Sequence, residues 1–313
     1  MAATFKLQRF NQAQAQLSTV RDLVRFAVSN FQKHQLFFGH GTDNAYDEAV
    51  YLILHTLSLP IDLLEPYLDA KLLDDEINDV LKVLHTRIVK RIPASYITNE
   101  SHFLGYSFYV DERVIIPRSY LAELLLNGSF DPWIEHTELV HNVLDLCTGN
   151  GSLAIIAADY FIDANIVATD ISKDALQVAR TNIEKYELQD KITLLESDLF
   201  KAVKKQKFDL ILTNPPYVDK KRMDLLPKEY HYEPQIALAG GNDGLAMVDT
   251  ILKNAVNYLT EFGVLVLEMG DNAHELEERY SGLEFHWLKT ENGNGFVFIL
   301  TFSDLKEYFG KKA

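Results

Sequence analysis

From Val20 to Phe38 apolar residues recur every three to four positions, the spacing that lines one face of a helix. Gly39-His40-Gly41 interrupts that run. A second helix is expected over Tyr46–Leu57, with Asp43 or Asn44 as its N-cap, and Pro60 can open a third, short one. A fourth is expected from Asp74 to Val89. After Pro93 the pattern changes. Between Thr98 and Ile116 the residues Phe103, Tyr106, Phe108, Tyr109, Val110, Val114, Ile115 and Ile116 form aromatic and β-branched runs. Gly105 and Asp111-Glu112 separate those runs, which reads as a hairpin.

Beyond the hairpin the chain alternates. Strands are expected at Val143–Leu146, Ile166–Thr169, Ile192–Leu195, Phe208–Thr213 and Val264–Met269. Helices are expected at Leu153–Tyr160, Lys173–Tyr186, Leu245–Leu259 and Ala273–Tyr280. Strands alternating with helices imply an α/β, doubly wound parallel sheet. The last two strands, Glu284–Leu288 and Phe296–Phe302, joined through Gly293-Asn294-Gly295, read as an antiparallel pair at the sheet edge. Three parts follow: a helical domain over 1–95, a linking hairpin over 96–118 and an α/β domain over 119–313.

Composition narrows the class. With Cys147 as its one cysteine the chain forms no internal disulfide, which suits a reducing compartment. Met1–Phe10 lacks the apolar core of a secretory signal, and no apolar run approaches the ~20 residues of a membrane span. The expected location is the cytoplasm. Thirty Lys and Arg against 45 Asp and Glu give a formal charge of −15. Such a chain is ill suited to stable DNA binding, where neutralising phosphates supplies most of the affinity. It suits a basic protein partner.

The chemistry collects at the strand ends. Asp145-Leu146-Cys147-Thr148-Gly149-Asn150-Gly151 closes the first strand of the α/β domain, and its glycines let the backbone turn sharply beside a ligand. Cys147 stands at the first glycine position, so the dinucleotide spacing fails, and a plain strand-to-helix turn would look the same. Asp170 ends the second strand, where a carboxylate can take both hydroxyls of a ribose. It could instead cap the next helix, but Ser172 is the better N-cap. Asp198, followed by Leu199, could accept from the exocyclic amine of an adenine while Leu199 packs on its face; a turn aspartate is the plainer reading.

The most informative stretch is Asn214-Pro215-Pro216-Tyr217, directly after Phe208–Thr213. Two prolines cannot continue a central strand, and they hold Asn214 extended. An amide or ring-amine nitrogen is a poor nucleophile because its lone pair is delocalised. The Asn214 side-chain carbonyl and the Pro215 main-chain carbonyl can together grip its two N–H hydrogens, while Tyr217 stacks on the flat group. That aligns the lone pair with a methyl group carried on a sulfonium. A rigid turn is the alternative for this tetrapeptide, and its place behind Asp145, Asp170 and Asp198 disfavours it. His136 and His141 read as surface residues, Cys147 as packing rather than nucleophile, and Lys220-Lys221-Arg222 as a solvated loop. Glu268 ends the fifth strand, either lining the site or buried at its edge, and no metal-ligand spacing is present.

Together these residues resemble the methyltransferases with a seven-stranded Rossmann-like sheet. Asn214–Tyr217 is similar to the tetrapeptide of their nitrogen-methylating branch, which includes adenine-N6 DNA methyltransferases and HemK-like protein glutamine methyltransferases. Val114-Ile115-Ile116-Pro117-Arg118-Ser119 with Glu123, and Glu233-Pro234, Ala237-Leu238, Gly240-Gly241 and Asp243-Gly244-Leu245, resemble the HemK-like group, as does the order of the three parts. Within that group, one branch methylates the glutamine of the Gly-Gly-Gln motif of peptide release factors. The other acts on the third large-subunit ribosomal protein. Asp145–Gly149, Ile116–Ser119 and the helix carrying Asp47-Glu48-Ala49 and running on to Leu59-Pro60 look like the second; glycine at 147 and an aspartate near 119 or 120 would mark the first.

The resemblance implies that S-adenosylmethionine is bound by Asp145, by Cys147, Thr148, Gly149, Asn150 and Gly151, by Asp170-Ile171, by Asp198-Leu199 and by Asn214. It implies that Asn214, Pro215, Pro216 and Tyr217 hold a substrate glutamine, with Asn214, Pro215 and Tyr217 catalytic. The helical domain would read the protein around that glutamine. A binding-only relative of the fold would be expected to lack Asn214 or Asp170, and both are present.

Overall fold

The computed structural model describes residues 10, 12–290 and 293–310, and the expectation made for Met1–Phe10 lies almost wholly outside them. The chain divides into two compact units, Met1–His102 with Pro227–Tyr232, and Phe103–Leu226 with Glu233–Ala313. No helix among the described residues is long and apolar enough to cross a membrane.

The first unit is helical. α1 (Val20–Lys33) begins at a reciprocal cap in which Thr19 Oγ1 accepts from Asp22 N–H and the Asp22 carboxylate accepts from Thr19 N–H, each at 3.2 Å. It ends short of the expected Phe38, and Gln35 turns the chain at φ 49°. α2 (Ala45–Thr56) is capped by Asn44 rather than Asp43. Pro60 opens no helix; the turn of 3₁₀ helix lies at Glu65–Tyr67, around Pro66. α3 (Asp74–His85) loosens into a π-helical turn at Thr86–Lys90, which Arg91 terminates at φ 67°. α4 (Ala94–Thr98) follows. Leu23, Ala27, Phe31, Leu52, Ile53 and Leu84 meet in the core of this unit.

Arg87 is buried in the same unit. Its Nε donates to Glu48 Oε1 at 2.6 Å, its Nη1 to Glu229 Oε1 at 3.1 Å and its Nη2 to the Phe37 carbonyl at 2.7 Å. Glu229 is brought there by Pro227–Tyr232, chain that in sequence lies between Tyr217 and Glu233.

The boundary at His102/Phe103 falls inside the hairpin of β1 (Glu100–Phe103) and β2 (Tyr106–Tyr109). Its two turn residues, Leu104 and Gly105, have φ of 50° and 85°, as a tight turn matched to strand twist requires. The α/β unit continues with α5 (Tyr120–Leu126), β3 (Asn142–Leu146), α6 (Ser152–Tyr160), β4 (Asn165–Asp170), α7 (Lys173–Lys185), β5 (Ile192–Glu196) and β6 (Phe208–Thr213). It closes with α8 (Lys220–Met223), α9 (Ala246–Ala255), β7 (Leu259–Glu268), α10 (Ala273–Arg279), β8 (His286–Thr290), β9 (Gly293–Thr301) and α11 (Phe302–Gly310).

The seven-stranded sheet has the order β5-β4-β3-β6-β7-β9-β8. Strands β3 to β7 pair in parallel, and β9 runs antiparallel to β7 and β8. The expected fold class holds. Strand order reverses at β3, which lies between β4 and β6, so the loops after these strands open a crevice there.

Several elements differ from expectation. Leu259 is not the end of a helix but the start of β7, paired with Phe208, and a bulge between Phe208 and Leu210 absorbs the change in register. Gly263 permits it, since a Cβ there would lie 2.7 Å from the Phe208 carbonyl oxygen. Gly293 and Gly295 lie within β9 rather than in the turn before it, and residues 291–292 lie outside the described residues. Helices α5 and α11 have no counterpart in the sequence pattern read above.

Candidate active site

Strand β3 delivers Asp145 to the crevice, buried, with Oδ2 accepting from Thr148 Oγ1 at 2.5 Å. Its other oxygen, Oδ1, is buried and makes no hydrogen bond of ordinary geometry. Burial, then the charge of Asp170, pushes the Asp145 carboxyl up to about 7. The loop that follows is tightly wound, with φ of 61° at Cys147, 56° at Gly149 and 81° at Gly151. Cys147 therefore holds a backbone conformation that favours glycine. Burial also raises its thiol pKa, with Asp170 and Asp145 adding to the shift, so it stays protonated.

A Cβ on Gly149 would meet nothing within 4 Å, so this face of the loop is open. A Cβ on Gly151 would lie 3.2 Å from Ala179 Cβ, which lets α6 pack close to α7. Buried Asn182 of α7 donates to the Asn150 carbonyl at 2.9 Å, and the Asn150 Nδ2 is buried without a partner.

Asp170, at the tip of β4, is less free than its sequence suggests. Its Oδ2 accepts from Gly149 N–H at 2.9 Å and its Oδ1 from Ser172 N–H at 2.8 Å. The Ile171 N–H acts on the same carboxylate, which is fixed in place by these three backbone donors and keeps acceptor capacity for a ligand. Ser172 caps α7, accepting from Ala175 N–H. Ile171, beside Asp170, is 50% exposed, and Leu199 follows Asp198 at φ 48°. Asp198 pairs at the surface with Lys201, Oδ2 to Nζ 2.6 Å.

Strand β6 ends in Thr213, whose Oγ1 donates to the Leu146 carbonyl at 2.9 Å and locks the tips of β6 and β3 together. Asn214 follows. Its Nδ2 donates to Glu268 Oε1 at 3.1 Å, at the tip of β7. Glu268 Oε2 accepts from Ser119 Oγ at 2.6 Å and from Leu121 N–H at 3.1 Å. Burial pushes the Glu268 carboxyl up to about 7.

One cavity gathers most of the residues named from sequence. Asp145, Cys147, Thr148, Gly149, Asn150, Asp170, Ile171, Asp198, Leu199, Asn214 and Pro216 all line it. Gly151, Pro215 and Tyr217 do not. A Cβ on Gly270 would lie 2.9 Å from Tyr217 Cδ2, which places the Tyr217 ring against that glycine. Added Cβ atoms on Gly240 and Gly244 would lie 2.6 Å from Tyr217 Cα and 2.4 Å from its carbonyl oxygen, so these two glycines let the later loop press on the tetrapeptide backbone.

The sequence reading missed the links between these parts. Glu233 Oε1 accepts from Ile116 N–H at 3.0 Å, while its two oxygens take Arg118 Nη1 and Nη2 at 2.5 and 2.7 Å. That bidentate pair ties the Val114–Ser119 segment, which lines the cavity, to the loop beyond β6. Opposite charges in two separate motif stretches were its only sequence signal. Lys220 and Lys221 are exposed on α8, while Arg222 pairs with Asp219 and Asp271.

Residues 132–228 match the family model described as the methyltransferase small domain. The ribosomal protein uL3 glutamine methyltransferase of Neisseria meningitidis serogroup B is 55% identical over 93% of this chain and 96% of its own length. That of Burkholderia pseudomallei is 50% identical over 93% of this chain and 97% of its own length. The chain belongs to the ribosomal protein uL3 glutamine methyltransferase family. A solved structure of the hMettl16 catalytic domain in complex with hairpin 6 of the MAT2A 3′UTR covers 75% of this chain and 85% of its own. With 15% identity and a TM-score of 0.51 it shares the fold. The seven-stranded sheet and helical N-terminal region place this member of the family among the Rossmann-like methyltransferases.

Proposed function

We propose that the protein transfers a methyl group from S-adenosylmethionine to the side-chain amide nitrogen of a glutamine in ribosomal protein uL3. The observation that carries this reading is Asn214 at the tip of β6, its amide pinned by Glu268, in the same cavity as Asp145, Gly149 and Asp170. Identity of 55% to a relative named for this substrate supports the choice of protein, and so does a charge of −15 against a basic ribosomal protein. Work on such a substrate belongs in the cytoplasm.

The residues present fit the cofactor. S-adenosylmethionine, when bound, supplies an electrophilic methyl group on a positively charged sulfonium. The unpartnered Asp145 Oδ1 offers an acceptor and a negative charge for the ammonium of its methionine end. The open face over Gly149 gives room for the ligand against the backbone. Asp170, already oriented by the Gly149, Ile171 and Ser172 N–H groups, presents its remaining acceptor capacity to the ribose hydroxyls. Ile171 and Leu199 offer apolar surface to the adenine, and Asp198 an acceptor for its amine.

The substrate amide would meet Asn214 Oδ1, which lines the cavity, as acceptor for one N–H hydrogen, and the adjoining Pro215 carbonyl, outside the lining of the free protein, as acceptor for the other. Gripping them turns the amide so that the nitrogen lone pair faces the methyl group. Methyl transfer would leave the carbon–sulfur electron pair on sulfur and the nitrogen positive and acidic. The two carbonyls stabilise that developing charge, and the nitrogen then loses one proton to water. Tyr217, packed on Gly270, fixes the end of the tetrapeptide.

The test is labelled methyl transfer to free uL3, to a release factor and to a DNA duplex. Label is expected on a uL3 glutamine and absent with Asn214→Ala. Label on the release factor alone would overturn the substrate, and label on DNA would overturn the amide chemistry.

A second expectation concerns pH. The Asp145 carboxyl sits near 7 in the free protein, and a bound cation lowers it. Cofactor binding then releases a proton below that value, so affinity rises with pH and levels off above about 7. The Kd by calorimetry should be roughly tenfold weaker at pH 6 than at pH 8. Asp145→Asn should flatten that profile; a flat profile in the unaltered protein would remove Asp145 from the cation's partners.

A further inference from the structure

We propose that Glu268 is the positioning residue that decides which end of the Asn214 amide faces the substrate, and that the Ser119–Leu121 turn fixes Glu268 in that task. The inference rests on the glutamine-methylating reading above and adds to it a residue that never touches the substrate.

An asparagine amide has the same shape whichever way it is turned. Its two ends differ only in that one accepts and the other donates. Methylation of an amide needs the accepting end toward the substrate N–H hydrogens. Something on the far side of Asn214 must therefore prefer its NH₂ group. An ionised carboxylate accepts only, so Glu268 Oε1, 3.1 Å from Asn214 Nδ2, admits the donor end and rejects the carbonyl.

The rear of Glu268 makes the preference firm. Oε2 already accepts from Ser119 Oγ at 2.6 Å and from Leu121 N–H at 3.1 Å. The serine hydroxyl can rotate, but the Leu121 N–H is a fixed donor. A proton arriving on Glu268 is therefore directed to Oε1, where it would donate to Asn214 and turn the asparagine carbonyl away from the substrate. Protonation of this one carboxyl reverses the polarity of the amide that grips the substrate.

Burial makes that event accessible, since it raises the carboxyl to about 7. Among the described residues, the charged group that acts on it is Arg118, in the segment leading into α5, and it favours the ionised form. The start of α5 presents Ser119 Oγ at the cap and the Tyr120 and Leu121 N–H groups; β6 presents Thr213 and Asn214, and β9 presents Val297 opposite Glu268. None of these carries a charge.

Glu268→Gln tests the idea. The Leu121 N–H obliges the glutamine carbonyl to take the place of Oε2, which leaves its NH₂ facing Asn214. Asn214 must then turn its carbonyl inward and show its NH₂ to the substrate, donor against donor. The kcat on uL3 should fall by about a hundredfold, the scale of one lost polar contact to developing charge. The Kd for S-adenosylmethionine should change by less than about twofold, because Glu268 is not among the residues that line the cavity.

The pH profile separates positioning from mere support. In the unaltered enzyme kcat should rise with pH through about 7, and in Glu268→Gln that step should vanish. Ser119→Ala removes one donor to the carboxylate and should move the step to higher pH, which serves as the readout if Glu268→Gln does not fold. A Glu268→Gln enzyme with unaltered kcat, or a step that Ser119→Ala leaves in place, would overturn the inference. An unaltered enzyme that does not methylate uL3 would instead refute the parent reading.

Discussion

Arg87→Ala should destabilise the helical unit by about 3–5 kcal/mol, the cost of leaving buried charges without their partner. Arg87 is 1% exposed and lies between Glu48 and Glu229, which are equally buried. Burial pushes the Glu48 carboxyl up, while the Arg87 guanidinium pulls it back down. Without the arginine, Glu48 loses the group that pulls its carboxyl down, so burial raises it further, while Arg91 still pairs with Glu229 at 3.3 Å. A folded-state pKa raised above the unfolded one contributes stability at low pH that is lost as pH rises. The variant should therefore be closest to the parent near pH 5 and weakest at pH 8. Urea denaturation at both values, followed by helical signal, measures this. Adding Glu48→Gln should recover most of the pH-dependent part of the loss at pH 8. Equal destabilisation at both pH values would mean that lost packing, not charge, accounts for the effect.

What could be read from the sequence was local. Strands β3, β4 and β6 are buried and parallel, so each is a short apolar run bounded by polar or turn residues. The same rule failed at Leu259, because an apolar strand start just after an apolar helix offers no change of period. Helix α11 was hidden for the same reason, following β9 without a break. In the site, Asp170 and Asn214–Tyr217 stood out because prolines and strand ends announce themselves in a few residues. The partners that give them direction did not. Asn214 and Glu268 lie 54 residues apart, and Arg118 and Glu233 115 apart. Only the sheet order brings the tips of β6 and β7 side by side, and no periodicity encodes that. Cys147 shows the opposite case. Its place in the loop was legible, but its φ of 61° was not, since cysteine rarely takes a glycine's conformation.

Asn214→Ala should lower kcat on uL3 by about 10²–10³-fold, as loss of one preorganised contact to developing charge does. The cause is twofold. The acceptor for one substrate hydrogen disappears, and Glu268 loses the group it orients, so a buried carboxylate faces the cavity. Binding of S-adenosylmethionine should change far less, since Asp145, Gly149 and Asp170 are untouched. Asn214→Asp sharpens the argument, because it keeps an oxygen where Oδ1 stood and replaces the donor with a second carboxylate oxygen about 3 Å from Glu268. Two carboxylates so close cannot both ionise, and one pKa rises well above its ordinary value. While the pair shares a proton, that proton bridges the two side chains and the outer aspartate oxygen still accepts from the substrate. As pH rises through the raised pKa the proton is lost and the two charges repel the aspartate from its place. Asn214→Asp should therefore keep measurable activity at low pH and lose it as pH rises, the reverse of the unaltered enzyme. Rate profiles from pH 6 to 9 for the two proteins decide the matter. Parallel profiles would mean that Asn214 does not work through its contact with Glu268.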